Sequence, residues 1–403
     1  MIAELFLALL LGVLAGIITG ITPGLHINLV AVVLLSSSAF LLRFFPPVVL
    51  AAFIIAMSIT HTFTDFIASI YLGAPDDDTA LSVLPGHVLL LQGKGYEAVK
   101  LTVVGSLLCL LGTIALVPFL IIAVPFIFET LRPYIGYLLI AIAAFMILHE
   151  KTRNGKFWAL IVFLLSGTLG LLTFSLPQVK DPLFPLFSGL FGISMLLLSL
   201  SQSVEIPPQR ITADIHPGKQ ETAKAISTGI FSGSLLSIFP GLGPAQAAIL
   251  ASQFYRKMQP HIYLIVVGGI NTVTMVMSFV TLYTIEKARN GSIVVVQELL
   301  KTFDTSLLLI SLGVCLAAGG LATLATLWIA KRCSTILNRV NYTLVSIGII
   351  SFIIFLAFVL GGPLSAFILA VATAIGLIPA LLGIGRNHAM GVLLLPVILY
   401  LIL

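Results

Sequence analysis

Charged residues are scarce in this chain. Of its 403 residues 9% are Asp, Glu, Lys or Arg and 59% are apolar, whereas roughly a quarter of a soluble domain is charged. Water is therefore not the main solvent of this protein. Cysteine is scarce too: Cys109, Cys315 and Cys333 are too few and too widely spaced for a disulfide framework or a metal cluster.

Enzyme signatures are also missing. The chain contains no His-Glu-x-x-His, the zinc-binding motif of membrane metalloproteases. Asp65 and Pro379-Ala380-Leu381 are similar to parts of the intramembrane aspartyl proteases, but the chain lacks the Tyr-Asp and Gly-x-Gly-Asp motifs of that class. We expect no catalytic residue, no metal site and no cofactor. The net charge of +5 stands in short clusters beside apolar runs, as loop anchors do, and does not imply nucleic acid.

Long apolar runs are abundant. The stretches 101–128, 157–176 and 307–330 contain few or no charges and approach or exceed the ~20 residues that cross a bilayer as helix. The alternation of a membrane β-barrel is absent, so the segments should be helices. The sequence predicts an all-α polytopic protein of the cell membrane, with about 10 to 12 transmembrane or re-entrant helices in the lipid bilayer.

The two halves of the chain resemble each other. A shift of 217 positions places Pro23-Gly24 on Pro240-Gly241, and the glycines at 12 and 16 on those at 229 and 233. The polar stretch around the midpoint separates these copies. We therefore predict a transmembrane repeat over 1–200, a linker over 201–221 and a second repeat over 222–403, with inverted topology by analogy with transporters.

Each copy has a stripe of small residues and then a Pro-Gly pair. Small residues at every fourth position let helices approach closely, and Pro-Gly breaks a helix. Either the pairs are ordinary kinks or they mark discontinuous or re-entrant helices. Matched breaks favour a binding site whose helix N-termini attract anions. The expected substrate-binding residues at the breaks are Pro23, Gly24, His26, Asn28, Pro240, Gly241 and Gly243.

Polar residues stand inside apolar segments. His61 and Asp65 are one helical turn apart and can pair, either as a coupling-ion site or as a structural clamp. Asn271 follows two glycines at a comparable place in the second half and is a further candidate for the substrate path. The run 76–78 is either a cation-collecting mouth or a solvated loop, and Pro85-Gly86 predicts a second re-entrant excursion.

Arg386 lies between two apolar stretches near the end of the chain. It either pairs with an anionic substrate or extends to the membrane surface. We include it among the candidate substrate-binding residues.

These motifs resemble the large permease subunit of the tripartite tricarboxylate transporter family, in its shorter archaeal-type branch. The resemblance is carried by both Pro-Gly motifs, the polar helix 58–65, the turn 92–95, the stretch 268–271 and the ending 386–391. It implies uptake of a small carboxylate coupled to Na⁺ or H⁺. It also implies two partners, a small membrane subunit and an extracytoplasmic solute-binding protein.

The expected mechanism places carboxylate groups at the N-termini of the broken helices. Asp65, with His61 and the nearby Asn28 or Asn271, takes the coupling cation, and one half rocks against the other. The alternative transport function is translocation of an anionic lipid such as polyprenyl phosphate. A third possibility is a structural scaffold. A scaffold, however, does not need matched helix breaks or Asp and His residues inside the membrane.

Overall fold

The structure is a computed structural model, and within its described residues the regular elements are helices joined by turns and short extended segments. The described residues are 2–22, 27–36, 38–72, 83–179, 182–201, 207–212, 214–238, 243–252, 254–255, 258–288, 290–337 and 342–402.

Within the described residues, ten α-helices precede the midpoint of the chain, and two π-helical turns adjoin them. They are α1 Ile2–Ile21, α2 Ile27–Ser36, α3 Ser38–Leu41, α4 Pro47–Ile67 with a π turn Ala68–Leu72, α5 Val83–Leu90, α6 Gly95–Leu131, α7 Ile135–Leu148, α8 Arg153–Phe174, α9 Leu183–Phe187 with a π turn Ser188–Ile193, and α10 Ser194–Ser201.

Seven α-helices follow. They are α11 Lys219–Ser237, α12 Pro244–Ser252, α13 Pro260–Ile285, α14 Gly291–Leu300, α15 Thr305–Leu337, α16 Tyr342–Leu382 and α17 Gly391–Ile402. Short 3₁₀ turns Arg132–Tyr134 and Arg386–Met390 precede α7 and α17. Helix α16 is kinked at Gly362, whose φ of 70° is in the left-handed region just before Pro363.

Among the described residues, seven helical segments are long and apolar enough to cross a membrane, and four shorter apolar helices accompany them. The predicted all-α polytopic membrane fold is therefore confirmed. The Pro85-Gly86 pair does not interrupt a helix: it lies in the first turn of α5, where proline has no helical hydrogen bond to lose.

Helices α1 and α4 run side by side in the same direction. A Cβ at Gly12, Gly16 or Gly20 would strike successive turns of α4, from Phe53 to Thr64. The chain after α1 turns back along it, because Leu34 of α2 and Leu41 of α3 line one small pocket with residues from the first half of α1. Helices α1 and α2 thus form a hairpin.

The second half has the same arrangement. Gly229 and Gly233 of α11 meet Val266 and Val273 of α13 in order, so α11 and α13 are also parallel. Helix α12 follows α11 in the chain as α2 follows α1. The α1/α2 and α11/α12 boundaries correspond at the shift of 217 found in the sequence.

The closest long-range packing joins helices of different halves. Gly105 of α6 lies against the Ile265 carbonyl of α13, and Gly268 of α13 lies against the Thr102 carbonyl of α6. In the reciprocal pair α4 packs on α15, where the Tyr71 hydroxyl donates to the Ala330 carbonyl at 3.1 Å. We call these two contacts the exchanged pairs.

The exchanged pairs set the direction of the helices. Tyr71, at the end of α4, adjoins Gly95, at the start of α6, so α6 runs opposite to α4. The ends of α6 and α13 meet where Lys287 lies over the Phe128 ring, so α13 is parallel to α6. Helices α4 and α13 therefore run in opposite directions.

The polar linker is docked on the first half. The Gln209 amide accepts from the Gly95 N–H at 2.9 Å and donates to the Leu90 carbonyl at 2.9 Å, and the Arg210 N–H donates to the Gly93 carbonyl at 2.8 Å. The Glu97 carboxylate accepts from the Thr212 hydroxyl and from the N–H groups of 214 and 215. The linker thus covers the turn between α5 and α6.

Removing the Glu97 carboxylate should release this segment. In Glu97→Ala three donors of the linker lose their acceptor, and we expect trypsin to cleave after the exposed Arg210 about tenfold faster or more. Limited proteolysis of the purified chain measures this rate. Glu298→Ala, on the exposed face of α14, is the matched control, and equal cleavage in the two variants would mean that Glu97 does not secure the linker.

Candidate functional site

Helix α4 is the polar centre of the protein. From residue 54 to residue 67 each of its side chains is buried, including His61, Thr62 and Asp65. An ionisable group buried at membrane depth costs several kcal/mol unless it has partners. The partners of these α4 side chains come from other helices, so α4 joins both halves.

Asp65 is bound across the two halves. Its Oδ2 accepts a hydrogen bond of 2.7 Å from Asn271 Nδ2 of α13, and the Asp65 and Asn271 residues are 3% and 1% exposed. One turn earlier, the Thr62 and Thr272 hydroxyls lie 3.2 Å apart. The helices α4 and α13 therefore cross at a buried pair of polar contacts, and the sequence candidates Asp65 and Asn271 form one site.

His61 faces the first hairpin. Its Nδ1 lies 3.1 Å from the Thr19 hydroxyl, which itself donates to the Gly16 carbonyl at 3.2 Å. The hydroxyl is thus placed to accept from an Nδ1–H of His61. In this structure His61 binds α1, while Asp65 binds α13.

The end of α1 reaches Asp65 because residue 20 is glycine. A Cβ there would overlap the Thr64 hydroxyl and would lie 2.9 Å from the Asp65 backbone nitrogen. The C-terminal end of α1 therefore lies beside the Asp65 backbone. Pro23, Gly24 and His26 lie outside the described residues, and of Asn28 the structure describes the helical backbone at the start of α2.

Helix α11 ends on the other side of the crossing. Gly233 meets Val273, and α11 continues parallel to α13 for one further turn to Ser237. Pro240 and Gly241 lie outside the described residues, and Gly243 immediately precedes α12. The described ends of α1 and α11 thus lie on opposite sides of the α4–α13 crossing.

Arg386 begins the 3₁₀ turn between α16 and α17. Its charge acts on His87 of α5. Among the described residues its guanidinium has no hydrogen-bonding or ion-pairing partner. Its assignment to the substrate path therefore stays a prediction.

Sequence reasoning missed a link between α7 and α17. Glu150 Oε1 accepts from His388 Nε2 at 2.8 Å and from the Gly385 N–H at 2.9 Å. Burial raises the pKa of the Glu150 carboxyl, but the bonds from Gly385 and His388 and the charge of His388 outweigh it, so the pKa lies below its ordinary value. The pair is 238 residues apart in the chain, so no local pattern signals it.

The lowered pKa of Glu150 gives a pH prediction. Stability from this carboxylate is present above its unfolded pKa and disappears as the pH falls through the lower, folded pKa. The melting temperature of the native chain should therefore exceed that of Glu150→Gln at pH 7, and the difference should vanish well below about pH 4. Melting curves in detergent at several pH values test this, with Glu298→Gln as the control. A difference that persists in strong acid would contradict the ion pair.

Comparison with known proteins gives one family. The model of the "Tripartite tricarboxylate transporter TctA family" matches residues 6–391. The chain belongs to this family. It is also similar to an uncharacterized protein of Methanocaldococcus jannaschii, with 28% identity over 394 residues and 94% of each chain covered. No solved structure matches.

Membership of the TctA family makes the chain a permease of a tripartite tricarboxylate transporter, which is transport rather than enzyme chemistry. The match spans both hairpins, the α4–α13 crossing and the turn at Arg386. The predicted resemblance and the multi-pass membrane location are confirmed.

Proposed function

We propose that this TctA-family permease is a secondary active transporter that carries a small carboxylate anion together with Na⁺ or H⁺. The single observation that carries the proposal is the buried Asp65 carboxylate, which binds Asn271 of the other half beside the end of α1.

The proposed cation site is centred on Asp65. A carboxylate, an amide and hydroxyl groups are oxygen donors that suit a small hard cation, and the carboxylate alone suits a proton. Asn271 now donates to Asp65. On cation binding we propose that the Asn271 side chain turns its carbonyl oxygen toward the ion, while His61 fixes the adjacent end of α1 through Thr19.

The substrate anion is proposed to lie at the N-termini of α2 and α12. Unpaired N–H groups at a helix start favour negative charge, and Pro23, Gly24, His26, Asn28, Pro240, Gly241 and Gly243 surround these starts in sequence. A cation on Asp65 removes the repulsion between this carboxylate and an incoming anion. That change in electrostatics would couple the two fluxes.

We further propose that the chain consists of two inverted repeats joined by the 201–221 linker. Three observations support this: the hairpins correspond at one sequence shift, the contacts of α4 with α15 match those of α13 with α6, and α4 and α13 run in opposite directions. Inverted repeats around a midplane site are common in secondary transporters.

The exchanged pairs change the expected motion. Helix α6 of the first half contacts the backbone of α13 of the second half at two glycines. The two halves of the sequence are therefore not proposed to move as separate rigid bodies. The proposed moving bodies are instead α1, α2, α4 and α15 on one side and α11, α12, α13 and α6 on the other. Their polar boundary is the α4–α13 crossing.

Two partners are proposed from the family, a small membrane subunit and an extracytoplasmic solute-binding protein. Arg386 is proposed to bind the anion on its way to the crossing, since it is the partly buried cation beside α5. Both proposals concern delivery of substrate and not the central site.

Uptake into proteoliposomes tests the function. Labelled citrate and smaller di- and monocarboxylates are offered to the purified chain, alone and with its partner subunits, under separate Na⁺ and H⁺ gradients. Accumulation driven by one gradient supports the proposal and names the ion. If no carboxylate enters under either gradient with partners present, while labelled polyprenyl phosphate crosses the bilayer, the carboxylate proposal is wrong.

A further inference from the structure

A groove among the ends of α6, α13 and α17 contains two cations that share one aromatic ring. Lys287 Nζ lies 4.9 Å from the centre of the Phe128 ring, and Arg132 Cζ lies 5.8 Å from it. The two charges are therefore separated by no more than the sum of these distances. They repel each other, and their attraction to the ring offsets that repulsion only in part.

In the part of the chain that the structure describes, Arg132 and Lys287 have no carboxylate within ion-pair distance. Glu129 lines the same groove without pairing to them, so the groove carries a net positive charge. Its volume is about 680 Å³, and Tyr400 lines its far side. This space is sufficient for a polar group much larger than a water molecule.

The groove lies at the level of the membrane surface. Tyr134, Tyr137 and Tyr400 around it are all strongly exposed, and exposed tyrosines collect where hydrocarbon meets water. On the preceding turns of α6 the exposed residues are the apolar Ile122 and Phe126. A ligand with a charged head in the groove could therefore extend apolar chains along this surface.

We propose that this groove binds the phosphate headgroup of an anionic membrane lipid. Arg132 and Lys287 bind the phosphate from two sides, Tyr400 offers a hydroxyl donor, and the acyl chains lie along Ile122 and Phe126. Because Arg132 is at the end of α6 and Lys287 follows α13, the lipid joins the ends of an exchanged pair. It is separate from the Asp65 site and independent of what the protein transports.

Native mass spectrometry of the full chain tests the site. The chain in detergent is titrated with phosphatidylglycerol and, separately, with phosphatidylcholine. We expect tight retention of phosphatidylglycerol and about tenfold or more weaker retention in the double variant Arg132→Gln, Lys287→Gln. The charge-preserving variant Arg132→Lys, Lys287→Arg should retain the lipid. Arg332→Gln is the matched control, since it removes a cation 5.5 Å from the Trp328 ring at the end of α15.

Two further arms identify the source of the phosphate. Glycerol phosphate, which lacks acyl chains, should not displace the lipid, whereas complete displacement at equal concentration would assign the groove to a soluble phosphate and overturn the proposal. Equal retention of phosphatidylcholine, or unchanged binding by the double glutamine variant, would also overturn it. Melting temperatures of all variants are measured in parallel, so that a loss of binding is attributed to the groove and not to unfolding.

Discussion

Asp65→Asn is expected to abolish gradient-driven uptake while the chain still inserts and folds. The substitution keeps the shape of the side chain but removes its charge, and it replaces the acceptor of the 2.7 Å bond from Asn271 with a neutral one. The neutral amide oxygen can still accept from Asn271 but carries no charge to hold the coupling cation, so uptake should fall by about 100-fold or more.

Uptake and thermal melting are measured together, so that loss of the cation site is distinguished from loss of the folded state. Asp65→Asn should melt close to the native temperature, because an amide pair replaces a buried charge. Asp304→Asn is the control: that carboxylate caps the Leu307 N–H at the start of α15, far along the chain from the crossing, and uptake should be nearly normal. Undiminished uptake by Asp65→Asn under both gradients would remove Asp65 from the mechanism.

Gly16→Ala is expected to have the second large effect, through packing alone. A methyl group at Gly16 would lie 2.5 Å from the Met57 carbonyl oxygen and 2.6 Å from Thr60 Cβ, so α1 must move away from α4. Overpacking of this kind costs about 1–3 kcal/mol. It also disturbs the Gly16 carbonyl that accepts from Thr19 and Thr64, so both melting temperature and uptake should fall.

Gly320→Ala provides a matched comparison for Gly16→Ala. Both glycines are within long helices, but a methyl group at Gly320 meets nothing within 4 Å. Alanine is favoured over glycine in a helix by roughly 0.5–1 kcal/mol, so Gly320→Ala should leave the melting temperature unchanged or raise it. If the two variants behave alike, the α1–α4 contact is not as close as described.

The helical membrane fold was predictable because it depends on a local property, the solvent preference of runs of residues. The hairpin positions were predictable for a similar reason: Pro-Gly ends a helix through its own backbone chemistry. Asp65 was recognisable as one ionisable residue within an apolar segment. Each of these signals needs no knowledge of what lies beside it in space.

Pairings between distant segments were not predictable. The Asp65–Asn271 contact spans 206 positions, and the sequence indicated both residues without indicating that they bind each other. The docking of the linker on Gly95 and Glu97 of α6 was also missed, because a Pro-rich polar stretch looks the same whether docked or free. The assignment of Arg386 to the substrate stays a prediction.

The exchanged pairs constrain how the protein is made. Ser106 of α6 donates to the Gly268 carbonyl of α13 across 162 positions, and at 5–20 residues per second a ribosome needs roughly 10 to 30 s to synthesise the chain between them. During that interval α6 is in the bilayer, and the face of α6 that contains Gly105 is not yet packed on α13. The first half is therefore an obligate biogenesis intermediate, and expressed alone it should be degraded by membrane proteases instead of accumulating as a stable half-transporter.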